Sequence, residues 1–125
     1  MTQPVALTVA AEFLLSPVVA RVVGAVGAQA GLGVDRLDDA KLAADAIAEG
    51  VRRRSTDGGL TMEAVSGDGV LTLRFGPFAP GEAAEVRDQS ALPEVGDVVT
   101  GLADDVSVLE EADGERLVLR FGGGD

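Results

Sequence analysis

The chain has 125 residues, 46% of them hydrophobic, and a formal net charge of -11. That is enough apolar material for the core of one domain, and so acidic a surface repels nucleic-acid phosphates and anionic membranes. With no cysteine and no histidine, disulfides, thiol nucleophiles, imidazole bases and zinc-type sites are excluded, and any metal would have to be held by oxygen.

The start, MTQPVALTV, lacks the basic region of a secretory signal, and the glycine-rich apolar run from Val22 to Val34 is shorter than the ~20 residues that span a bilayer. A cytoplasmic protein is expected. Val5, Leu7 and Val9 alternate with smaller or polar residues, the period of a half-buried first strand. Ser16-Pro17 then supplies an N-cap followed by proline at the first helical position, where its missing N–H is harmless. Val19, Val22, Val23, Val26 and Ala30 continue that helix as an apolar stripe. Beside it Ala20, Gly24, Gly27 and Gly31 form a line of small residues, which predicts a second helix packed closely along it. Gly31 and Gly33 end the first helix, and Asp35 is the expected cap of the second.

The second helix is expected over 37–54, LDDAKLAADAIAEGVRRR, with Leu37, Ala40, Ala44, Ile47, Ala48 and Val51 on one face. Asp38, Asp45 and Glu49 flank that face, and Asp45 and Glu49 are one turn apart, so their carboxylates are surface neighbours. Such a pair suits an acid/base group or an oxygen-ligand metal site. It suits equally a solvated edge balanced by Lys41, Arg52 and Arg53.

Beyond a polar turn over 55–59, Leu60 to Val65 and Val70 to Phe75 read as a hairpin around Ser66-Gly67-Asp68-Gly69. The run from Gly76 to Leu92 has no sustained period and reads as a long loop, either a binding lid or a plain surface connection. Pro93 opens an expected third helix with Val95, Val98, Val99 and Leu102. Asp105 to Glu111 and Glu115 to Phe121 close the domain as a second hairpin, and the glycine-rich tail after Phe121 is expected to be disordered. The sum is one domain over 1–121, an α/β two-layer sandwich in which a mixed sheet is covered on one face by helices, in the order β-α-α-β-β-loop-α-β-β.

In this order the residues resemble a family. SPVVARVVGAVGAQAGLGVDRLDDAKLAADAIAEGV is similar to the N-terminal half of the anti-sigma-factor serine kinases, members of the GHKL (histidine-kinase-like) ATPase superfamily with its Bergerat fold. The carriers are a first helix opening at Pro17 with Arg21, a turn at Gly31-Leu32, and a second helix where the family has E-x-x-x-N. The closing GLADDVSVLEEADGERLVLRF resembles the family's last segment, in which "LAD" precedes two strands. The resemblance implies an ATP- and magnesium-binding serine kinase, with the acid of that motif falling on Asp45 and its magnesium-binding asparagine on Glu49. The family's adenine-reading aspartate falls on Phe75, ahead of Gly76, and its phosphate-binding glycine turn retains Gly96 alone. These departures lead to the expectation of a regulatory, protein-binding module whose nucleotide pocket, Asp45, Glu49, Phe75, Gly76 and Gly96, is vestigial. The expected partner is a sigma factor, a STAS-type antagonist or a second copy of the chain, with no cofactor. An active kinase using Asp45 as base and Glu49 at magnesium, and a ligand-free structural partner domain, are the alternatives.

Overall fold

The computed structural model describes residues 5–10, 17–53, 61–89, 91–92, 96–97 and 102–122. The elements are β1 (Val5–Ala10), α1 (Pro17–Gln29), α2 (Val34–Arg53), β2 (Thr61–Gly67), β3 (Val70–Phe78), α3 (Glu82–Gln89), the two-residue strands β4 (Ala91–Leu92) and β5 (Gly96–Asp97), β6 (Asp105–Glu111) and β7 (Gly114–Gly122). Five strands form one sheet in the order β1-β2-β3-β7-β6, and β4 pairs with β5 separately.

The expected mixed sheet is corrected: every pairing in it is antiparallel. Two tight hairpins enforce this locally. Between β1 and β2 the chain goes out along α1 and back along α2, an even number of helices, so it re-enters the sheet running the opposite way. Val5, Leu7 and Val9 lie opposite Ser66, Ala64 and Met62.

Alternation of side chains separates the two faces of the sheet. Met62, Ala64, Leu71, Leu73, Phe75, Leu117, Leu119 and Phe121 point to the helices and join one core with Val19, Val23 and Val26 of α1, Ala40, Ala44 and Ile47 of α2, and Ala83 and Val86 of α3. Each buried valine of α1 contributes ~1.5–3 kcal/mol as an upper estimate. The molecule is therefore an α/β protein with the three described helices on one face of the sheet. Among the described residues no helix is long and apolar enough to cross a membrane.

The small-residue line on α1 does what its spacing predicts. A methyl group at Gly27 would stand 2.3 Å from Leu37 Cδ2, and one at Gly24 would stand 3.4 Å from Lys41 Cε. Gly31, at φ 83°, ends α1, with its N–H donated to Ala28 O and that of Leu32 to Gly27 O. The second helix begins earlier than its expected cap. Its first turn already includes Asp35, and the Leu37 N–H bonds to Gly33 O. In the first hairpin Asp68 and Gly69 have φ of 51° and 79°, the two positive values of a two-residue turn whose twist matches the strands it joins.

The largest correction concerns 76–92. β3 runs on to Phe78 and α3 occupies the middle of the expected loop. Glu82 and Glu85 in its first turn, Arg87 in its last, and Ala83 with Val86 one turn apart on the core side are its local causes. The third helix expected from Pro93 is broken by the β5 strand at Gly96–Asp97, which pairs back on β4. Val95, Val98 and Val99, like the tail after Gly122, lie outside the described residues.

Candidate functional site

The five residues of the expected vestigial pocket have different fates. Phe75 is fully buried, as is Phe78, which directly follows Gly76-Pro77, whose peptide bond is cis. α3 packs against α2, β3 and β7, and its Ala83 and Val86 are 0% exposed. The helix-facing surface at this end of β3 is thus filled by Phe75, Phe78, Ala83 and Val86. Gly76 is buried as well. A Cβ there would stand 2.6 Å from Glu115 O and 2.8 Å from Arg116 Nη1, so the β7 backbone occupies the space a side chain would need.

Asp45 sits on α2 at the flank of the face that buries Ala44, Ile47 and Ala48 and is exposed. Partial desolvation by its neighbours raises its carboxyl above the ordinary range. Asp38 is exposed, and so is Arg21 on α1. Glu49 belongs to α2, but its side chain lies outside the described residues, and Gly96 is in β5. Among the described residues no three acidic side chains converge on a point where a cation could sit.

The side chains that fill this end of β3 are apolar. Phe75 has no acceptor for an exocyclic amino group and is itself part of the core. The carboxylate nearest the start of α3 belongs to the chain. Glu115 Oε1 accepts the N–H groups of Gly81 at 3.1 Å and Ala83 at 3.3 Å, and Glu82 Oε1 accepts that of Ala79 at 3.2 Å. The positive end of α3 is satisfied from within.

Sequence reasoning missed two constellations. At one end, Arg36 of α2 donates to Asp39 Oδ2, to Leu102 O and to Asp104 Oδ2, while its guanidinium lies 5.5 Å from the centre of the Phe121 ring. Asp104 Oδ2 also accepts the Gly122 N–H at 2.6 Å. That backbone bond, with help from Arg36 and Arg120, holds the Asp104 carboxyl below its usual range. The signal was Leu102-Ala103-Asp104, whose polar member is a clasp.

The second lies on the sheet face away from the helices, where Thr61, Glu63, Arg74 and Arg116 line a polar recess of about 320 Å³. Glu111 ties both guanidiniums, one through each oxygen, and Asp113 takes a further N–H of Arg116 at 2.8 Å. Two cations there face three carboxylates, with Glu63 the looser partner at 3.8 Å from Arg74 Nε. These charges answer one another across strands, as a solvated sheet face requires. The sequence matches no protein-family model, and no curated protein matches it.

Proposed function

We propose that the chain is a protein-binding regulatory module of the anti-sigma-factor type, built on a Bergerat-like scaffold and working without nucleotide or magnesium. One observation carries the reading: Phe75, in the position corresponding to the family's adenine-reading aspartate, is a core side chain with 0% exposure. An apolar ring buried there replaces both the acceptor and the space that an adenine would need. The two helices ahead of β2, their close packing at Gly27 and the Leu102-Ala103-Asp104 segment ahead of the last hairpin support the scaffold. The partner is a sigma factor, a STAS-type antagonist or a second copy of the chain.

The test is thermal unfolding with and without ATP and magnesium. A ligand that binds only the native state raises Tm by mass action, so an unchanged Tm at saturating nucleotide is expected. A saturable rise would overturn the reading in favour of the kinase. Titrating the protein against purified sigma factors and STAS-type proteins then identifies the partner, and absence of binding to all of them and to itself would reject the regulatory role.

A further inference from the structure

β6 is the last strand of the sheet. Among the described residues its outer edge has no strand partner, so about half of its backbone N–H and C=O groups are presented sideways. On its helix-facing side stand Val106, Val108 and Glu110, in line with Leu119, Leu117 and Glu115 of β7. Val106 and Val108 are half-buried at the rim of the core. On the opposite side Leu109 is 43% exposed.

The charges along this edge are unequally compensated. Glu111 is held by Arg74 and Arg116, and Asp105 stands opposite Arg120. Glu110 stands opposite Glu115, a like-charge pair across the ladder, and Glu115 is already committed to the start of α3. Directly opposed like charges destabilise a ladder, and a cation placed beside Glu110 relieves this one.

We propose that the edge of β6 docks an extended segment of a partner protein as an added sixth strand, basic where it meets Glu110 and apolar at the two alternate positions that meet Val108 and Val106. Backbone hydrogen bonds supply affinity, and the side chains supply register. A second copy is disfavoured as the occupant. The symmetric antiparallel pairing that uses the whole strand, centred on Val108, would set Asp105 against Glu111 twice. The proposal takes the protein-binding reading above as its premise but does not depend on the loss of nucleotide binding. ATP binding alone would leave it standing.

The experiment is amide hydrogen exchange on the full chain with three probes: a peptide of alternating valine and threonine with lysines at one end, the same peptide with glutamates instead, and a raised concentration of the protein alone. The lysine peptide is expected to slow exchange along β6 and leave β1 unchanged. Glu110→Lys, at an exposed position, should weaken that peptide on the order of tenfold and reverse the preference toward the glutamate peptide. Equal binding of the two peptides, protection at β1 instead, or protection of β6 that grows with protein concentration alone would each overturn the proposal.

Discussion

Arg36 Nη2 and Asp104 Oδ2 lie 2.6 Å apart, joining the first turns of α2 to the residue that precedes β6, and the same oxygen accepts the backbone N–H of Gly122 at the end of β7. One carboxylate therefore fastens a helix and the close of the final hairpin. Because the Asp104 pKa is lowered by folding, the stability it contributes is present above its unfolded value of about 3.9 and is lost as pH falls through the lower folded value. The side chain is 46% exposed, so solvent screens the pair. Asp104→Asn should cost about 1 kcal/mol at neutral pH, and urea unfolding should show that difference shrinking below pH of about 4.

Asp45 has the opposite sign. Its raised pKa means that folding disfavours the charged form, so this group opposes stability once pH rises past its unfolded value. Asp45→Asn should raise Tm at neutral pH and leave it unchanged in acid, a comparison that thermal unfolding at two pH values makes directly.

Glycines one turn apart on α1 should respond differently to alanine. At Gly24 the new methyl meets Lys41 Cε at ordinary contact distance, and the gain in helix propensity makes Gly24→Ala neutral or stabilising by up to about 1 kcal/mol. At Gly27 it collides with Leu37 and also touches Leu71 and Leu32, so Gly27→Ala should be net destabilising by about 1 kcal/mol despite the same propensity gain. Denaturant midpoints of the two variants decide the sign.

Gly76→Ala is a harsher case, since its obstacle is the Glu115 carbonyl, which cannot rotate away. A loss of about 3 kcal/mol is expected, seen as a lowered denaturant midpoint.

Glu115→Gln should loosen α3 alone. Among its described side chains the helix buries only Ala83 and Val86, and it relies on the Glu115 carboxylate at its start. Loss of that charge costs about 1 kcal/mol, so amide exchange over 82–89 should quicken about fivefold while β2 and β3 keep their protection.

Much of this architecture was legible in the sequence because period and punctuation agreed. Val19, Val23 and Val26 read as the buried stripe of a helix and are that; Asp105–Glu111 is read and found with the same bounds. α3 was hidden because its helical signal is short, Ala83, Ala84 and Val86 in a charged stretch, and only Glu115, distant in sequence, completes its first turn. The sheet was expected to be mixed because the order of elements does not state which strands become neighbours: β3 lies beside β7, antiparallel to it, while β6, which runs parallel to β3, takes the edge. Of the candidate site, Phe75 was legible as part of an alternating apolar run, but its full burial depended on what α3 and β7 bring to it. Arg36 gave no signal at all, being one arginine on a charged helix until the fold sets Leu102, Asp104 and Phe121 around it.

The order β1-β2-β3-β7-β6 has a consequence for how the molecule comes into being. During synthesis, β2 and β3 can close as a hairpin as they emerge, with β1 joining across the two helices, but β3 gains its other neighbour only with β7, after β6 has been made. The seam at β3 and β7 pairs Leu71 with Phe121 and Leu73 with Leu119, contacts that, like those of β1 with β2, join residues far apart along the chain and carry the entropy of closing a long loop. Until β7 has emerged, β3 keeps an open flank, so the sheet is completed by the last of its described strands to be made rather than strand by strand along the chain.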